Sequence, residues 1–285
     1  VDVDALTLAD LGVPETATAV IDPAHVERIA ATLDADAIPV GGRLPSLWHW
    51  AFFTPTATTE SLGPDGHPRL ASVALAGHPR RMWGAGVVSW SADLLVGATV
   101  HRTSRIAAAK HTEGSSGSLV IVTVEHRYTH DGRDAIHETQ SLVYRTPGAP
   151  VPAPSESDEI PAAPDGVTQR RRQPTTPLLF RFSAITFNSH RIHYDAAYAS
   201  SEEGYPGLVV HGPLTSLLLA EHVEATTRRR LTRWDFKATA PMFAGQWALD
   251  RCATPDPDGT GEASVLRCDG AVAMQARYAL GADRG

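Results

Sequence analysis

Lysine is nearly missing from this 285-residue chain: of 25 basic residues only Lys110 and Lys237 are lysine, and the rest are arginine. Paired with abundant alanine, that bias speaks of origin rather than of function. A basic excess is missing too. The net charge of −7 lacks the positive footprint that nucleic acids and anionic membrane surfaces require. No apolar run approaches the roughly 20 residues of a membrane span, and no charged-then-apolar leader opens the chain. The expected compartment is therefore the cytoplasm, with no nucleic-acid or membrane partner. Cysteine is scarce, with Cys252 and Cys268 only, which excludes a disulfide scaffold. The pair flanks the turn residues Asp256 to Gly261 and is expected as two buried thiols, cross-strand neighbours on a hairpin. What the chain does have is 42% hydrophobic and 20% charged residues, enough for one large or two ordinary folded domains.

Residues 146–177 carry eight prolines and few large apolar side chains. Proline removes backbone donors and fixes φ, so this stretch reads as an extended linker between an N-terminal part, 1–145, and a C-terminal part, 178–285. In the first part, 24–34 has apolar residues at helical spacing, and 84–94, 118–130 and 136–146 are β-branched, partly alternating runs. The second part offers a strand at 179–186 and a helix at about 213–227. Strands follow near 232–238, 245–253, 262–269 and 271–280. A helix followed by a meander of strands, twice, is an α+β pattern.

The chemistry concentrates in the second part. Gly212 then Pro213 are helix-start signals, and Leu214, Leu217, Leu218 and Leu219 make a helix that must be wrapped by a sheet. The N–H groups around Gly212 are unpaired within the helix and sit at the positive end of its dipole. The loop before it, with Tyr205, Pro206 and Gly207, has the turn residues to form a pocket wall. Just upstream, Asn188, His190, His193 and Asp195 fall within eight residues, with His211 abutting the helix. Such a cluster fits a metal site (His190, His193, His211), a hydrogen-bonded structural turn, or acid–base chemistry by a histidine. The metal reading lacks a zinc-type spacing.

The segment SAITFNSHRIHYDAAYA followed by VVHGPLTSLL resembles the hydratase motif of the MaoC-like, or R-specific hydratase 2, branch of the hot-dog superfamily. That motif runs roughly D-x-N-P-x-H-x-D before a helix opening H-G. On this resemblance His193 matches the catalytic histidine, Asp195 the trailing aspartate, and Gly212 the glycine whose N–H binds the thioester oxygen. FKATAPMFAG (236–245) resembles the family's F-K-x-P-x-x-x-G strand pair. Asn188 stands where the family has its catalytic aspartate, and His190 where it has asparagine. This variant is similar to a subgroup containing 3-methylfumaryl-CoA hydratases and fungal-type 3-hydroxyacyl-thioester dehydratases. LWHWAFF (47–53), LGPDGHP (62–68) and PRRMWGAG (79–86) agree with it.

The resemblance implies a double hot-dog fold and reversible hydration of an enoyl thioester on CoA or carrier protein. It implies no cofactor beyond the substrate's own CoA, no metal, and a homodimer. His193 would move the proton, Gly212 N–H would hold the oxyanion, and Asn188 would orient water. Asp195 would fix a histidine tautomer or cap a turn. Arg80 and Arg81 are candidates for a substrate carboxylate or CoA phosphates, and Arg230, in the basic run after the helix, for CoA phosphates. His49, between Trp48 and Trp50, is expected as core or pocket wall. Two rivals stand beside hydration: a hot-dog thioesterase, which would release thiol, and a non-catalytic acyl-thioester-binding subunit, which would bind without turnover.

Overall fold

A computed structural model describes residues 13–54, 56–68, 77–114, 117–155 and 159–282. The N-terminal part contains strand β1 (Glu15–Val20), helix α1 (Pro23–Leu33) and strands β2 (Arg80–Trp90), β3 (Thr99–Gly114), β4 (Gly117–His130) and β5 (Arg133–Arg145). The C-terminal part contains strand β6 (Val167–Arg172) and helices α2 (Thr176–Ile185), α3 (Ala196–Ser201) and α4 (Gly212–Thr227). Strands β7 (Leu231–Ala238), β8 (Ala248–Ala253), β9 (Thr260–Arg267) and β10 (Val272–Leu280) complete it.

All ten strands join one antiparallel sheet in the order β1-β3-β4-β5-β2-β7-β10-β9-β8-β6. Counted from either edge inward, each part places its own strands first, third, fourth, fifth, second. The chain is thus one five-strand design used twice and joined at the β2–β7 seam, where Ala85 to Ser89 pair with Lys237 to Arg233. At that seam Gly86 has no room for a side chain, since a Cβ there would lie 2.5 Å from the Phe236 ring.

Three strands, β1, β3 and β6, are additions to the sequence expectation, and one element is a correction. Residues 179–186, read as a strand from their Phe and Ile content, lie mostly in α2. Thr175 caps it by accepting the Leu178 N–H, proline falls in its first turn, and Leu179, Phe182, Ser183 and Ile185 are buried at helical spacing. The stretch 146–177 is likewise not extended linker to its end, because β6 pairs with β8. Arg172 Nε donates to the fully buried Asp250 carboxylate at 2.7 Å and Arg170 Nη2 at 3.1 Å, which fastens this edge strand.

Helix α4 packs against β7, β8 and β9 and reaches β2 across the seam, while α1 packs on α2. Leu214, Leu217, Leu219, Ala220 and Val223 of α4 are buried, as expected, and Leu218 is half-buried. Cys252 and Cys268 are buried thiols, but not cross-strand neighbours. The register sets Cys252 opposite Ala263, while Cys268 packs with Trp247 and Leu249 beyond the far end of the pairing.

Candidate active site

The loop 187–195 is shaped by its own polar side chains. Asn188 Oδ1 accepts the His190 N–H at 3.0 Å, a short Asx turn. Asp195 accepts the Tyr198 N–H at 3.0 Å as the cap of α3, and its other oxygen takes Arg191 at 2.8 Å. Of the two roles open for Asp195, the structure gives the cap; its bonds go to Arg191 and Tyr198, not to a histidine ring. A single 3-10 turn, Arg191–His193, then directs His193 inward.

His193 is buried, and its Nδ1 lies 2.7 Å from the Val209 carbonyl. A carbonyl can only accept, so Nδ1 carries the proton and Nε2 is left with its lone pair. The ring stacks on His211 at 3.6 Å between centroids, and His211 directly precedes α4. Burial, only partly offset by the Val209 bond, lowers the His193 pKa from 6.5 to about 4. His190 and His211 are also held below the usual histidine range, by burial first and by neighbouring imidazoles second. The cluster is neutral at pH 7. His211 Nε2 meets Ser183 Oγ at 2.8 Å.

The N-terminus of α4 faces the other part of the molecule. Its cap residue, His211, makes no side-chain cap bond, and its first-turn N–H groups have no acceptor within the helix. A Cβ on Gly212 would lie 2.9 Å from Trp83 Cε3. Glycine thus lets the indole of β2 close over the helix end. Trp83 stacks on Phe236 at 4.3 Å and meets Trp50 edge-on at 5.2 Å, giving an aromatic wall beside the histidines.

The remaining expected residues separate. Tyr205 is buried in a small cluster with Ile192, Ala199, Val209 and Phe243, against the histidine turn. Pro206 is exposed and Gly207 half-buried. Arg80 is tied to the Glu203 carboxylate at 3.3 Å and the Glu202 carbonyl at 2.8 Å, so it fastens that loop to β2. Arg81, on the same strand face as Trp83, is half-buried and close enough to His190 to disfavour its protonation. Among the described residues no carboxylate pairs with it. Arg230 pairs with Asp93 past the far end of α4, about 24 Å from Gly212 for a 16-residue helix.

Sequence reasoning gave no site role to two groups. The first is the loop 62–68 of the N-terminal part, which docks onto the hydratase motif. Arg191 donates its N–H to Asp65 O at 2.8 Å and its guanidinium to Pro64 O at 3.0 Å, and Ser189 Oγ donates to Gly66 O. Gly66 has φ +87°, and a Cβ there would fall 1.9 Å from Ser189 O. Asp65 Oδ2 accepts from His67 Nδ1 at 3.1 Å, and the His67 ring lies 4.0 Å from that of His190. Partial burial pushes the Asp65 carboxyl up, but its bonds to the His67 side chain and N–H outweigh this and keep it ionised.

The second group is Glu138, fully buried. It accepts from His49 at 3.0 Å, Trp50 at 2.7 Å, Tyr128 at 3.0 Å and Gln140 at 2.7 Å. Burial opposes its ionisation, and these donors, His49 foremost, bring its pKa down to about 2. His49 is therefore a structural partner of Glu138.

The group of described residues close enough to share a metal ion is Asp65, His67 and His190, with donor atoms within 4.8 Å of one another. It is not the His190, His193 and His211 set considered from spacing.

Two copies of one five-strand order, with a buried neutral histidine set against the glycine that opens the long helix, define a double hot-dog protein of the MaoC-like dehydratase class. Among solved structures a MaoC-like dehydratase superposes with TM-score 0.72 at 15% identity, over 99% of this chain and 100% of that one. The chain belongs to the hydroxyacyl-thioester dehydratase type 2 family, whose model matches residues 47–244. It is 41% identical to the mesaconyl-C(4)-CoA hydratase of Chloroflexus aurantiacus, over 88% of this chain and 90% of that protein. It is 26% identical to the mitochondrial hydroxyacyl-thioester dehydratase type 2 of Schizosaccharomyces pombe, over 79% of this chain and 85% of that protein. The protein is an enzyme, a hydratase/dehydratase of acyl thioesters.

Proposed function

We propose that the protein reversibly hydrates a small dicarboxylic enoyl-CoA of the mesaconyl-C4 kind, with His193 moving the proton and Gly212 N–H stabilising the enolate. The observation that carries this reading is the fixed tautomer of His193, with Nδ1–H spent on Val209 O and Nε2 bare beside the start of α4. Water oxygen adds to Cβ while the π electrons shift through Cα onto the thioester oxygen. The Gly212 N–H and the helix dipole meet the charge that develops there. His193 Nε2 takes the water proton, and a proton is delivered to Cα. Asn188, whose carbonyl already serves His190, has its amide N–H groups left to hold the water.

The similarity to a mesaconyl-C4-CoA hydratase supports the dicarboxylic acyl group, and Arg81 is its natural counterion: half-buried, on the Trp83 face, and without a carboxylate partner among the described residues. The tightly held Arg80 and the distant Arg230 suit that task less well. CoA is the expected carrier. The chain is expected to act as a cytoplasmic homodimer, seen in light scattering as twice 30.4 kDa; the two buried thiols fit a reducing compartment.

The reading is tested by following conjugated enoyl-thioester absorbance with mesaconyl-C4-CoA and crotonyl-CoA, a thiol reagent running in parallel. Absorbance loss without free thiol is expected, with mesaconyl-C4-CoA preferred. Thiol release would make the protein a thioesterase. Arg81→Met should raise KM for the dicarboxylic substrate at least about tenfold, the scale of one lost charge-assisted contact. It should leave KM for crotonyl-CoA within about twofold.

A further inference from the structure

Hydration needs a proton taken from water and a proton given to carbon. His193, neutral with one open nitrogen, supplies one exchange point. The residue at the position of the family's aspartate, Asn188, is an amide and cannot exchange a proton, and its carbonyl is already committed to the His190 N–H. The N-terminal part places a carboxylate and an imidazole on the other side of the cluster.

We propose that Asp65 and His67 form a carboxylate–imidazole dyad supplying the second proton-transfer group of this active site, across the boundary between the two parts of the chain. The inference rests on the hydratase reading and deepens it.

Four observations carry it. The loop that bears the dyad is fastened to the hydratase motif itself, through Arg191 N–H to Asp65 O, Arg191 to Pro64 O, and Ser189 to Gly66 O. Gly66 is pressed so closely on Ser189 that only glycine fits there. Within the loop Asp65 accepts both the His67 backbone N–H and Nδ1, each at 3.1 Å. That fixes the ring and leaves Nε2 as its exchange point, the logic by which a carboxylate orients a catalytic imidazole. The ring lies 4.0 Å from His190, which in turn meets His193 edge-on at 5.3 Å, so three imidazoles form one continuous cluster. Finally, the Asp65 and His67 side chains each keep 20% of their surface exposed, while His193 as a whole residue keeps 7%. The dyad is the water-accessible end of the cluster.

In the hydration direction the water O–H bond breaks, its proton passing to His193 Nε2 as oxygen bonds Cβ. The π electrons move to the thioester oxygen as the enolate and return to form the Cα–H bond with a proton from His67. The Asp65 carboxylate offsets the ring's charge while it holds both protons. Exchange with solvent then removes the proton from His193 and restores the one on His67. No oxidant, reductant or metal enters the balance. His67 is thus a catalytic residue and Asp65 a positioning residue.

The test compares wild type, Asp65→Asn, His67→Gln and His67→Gly with the double variant Asp65→Asn/His67→Gln, all on mesaconyl-C4-CoA. Loss of a general acid–base group predicts a fall in kcat of about 10²–10⁴-fold for His67→Gln, with KM within about threefold. Asp65→Asn should lower kcat at least about tenfold. The double variant should be no worse than His67→Gln, since Asp65 acts through His67. Imidazole in the buffer should restore part of the lost kcat to His67→Gly, which a merely structural role would not allow. An active wild type with His67→Gln within about threefold of it overturns the dyad and leaves the hydratase standing. A wild type whose activity is abolished by chelator and restored by zinc also overturns it, making Asp65, His67 and His190 ligands instead. A wild type that hydrates neither mesaconyl-C4-CoA nor crotonyl-CoA overturns the underlying reading.

Discussion

His193 owes its chemistry to two backbone-level facts: burial keeps it neutral, and the Val209 carbonyl decides which nitrogen is bare. Because the neutral ring is the working base, the acid limb of kcat/KM should set in only as pH drops toward about 4, well below an ordinary histidine. The same depression affects stability. A histidine whose folded pKa lies below its unfolded value binds fewer protons when folded, so its contribution is complete above pH 6.5 and is lost as pH falls toward about 4. His190 and His211, shifted in the same direction, add to that loss. Unfolding midpoints measured across this window should decline with acid, and His190→Asn, which has no ring to protonate, should flatten the slope. An unchanged slope would mean that the histidines are solvated. At Gly212 the added methyl of alanine would meet Trp83. Gly212→Ala should therefore cost at least about 10²-fold in kcat, the scale of a lost oxyanion donor.

Among the elements, those with strong local chemistry were legible in the sequence. Helix α4 begins at the Gly212–Pro213 signal, and the apolar runs at 118–130, 232–238 and 271–280 became β4, β7 and β10. The failures have physical causes. Residues 179–186 look strand-like by side-chain type, but the Thr175 cap and early proline commit them to a helix. Strand β6 hides in a proline-rich context as an arginine run, because what holds it is a carboxylate 80 residues onward in sequence, Asp250. Breaking that buried group predicts a large effect. Asp250→Ala leaves Arg172 buried without its partner and should cost about 3–5 kcal/mol in denaturant unfolding. A loss below about 1 kcal/mol, the value of an exposed pair, would mean β6 is not fastened in this way.

At the scale of the whole molecule, duplication was legible only as a rhythm of helix and strands, since its proof is a strand order repeated in space. The site shows the same limit. His190, His193, His211 and Gly212 stand near one another in sequence and lie together at the start of α4, whereas Asp65, His67 and Trp83 join them only because the parts share a sheet and a docked loop. No local pattern marks a histidine in LGPDGHP as a neighbour of one more than a hundred residues away. The shared seam predicts that the parts unfold together. Calorimetry should give one transition with equal calorimetric and van't Hoff enthalpies, and two resolved transitions would show the seam to be weak.

The most direct test of the account is the hydration rate of mesaconyl-C4-CoA by wild type and His193→Asn, read as loss of conjugated thioester absorbance in the absence of thiol release. The account predicts rapid loss with wild type and a fall of about 10²–10⁴-fold in kcat for the variant, with folding unchanged. A variant that keeps near-normal turnover would contradict it, and the proton would have to move through another residue.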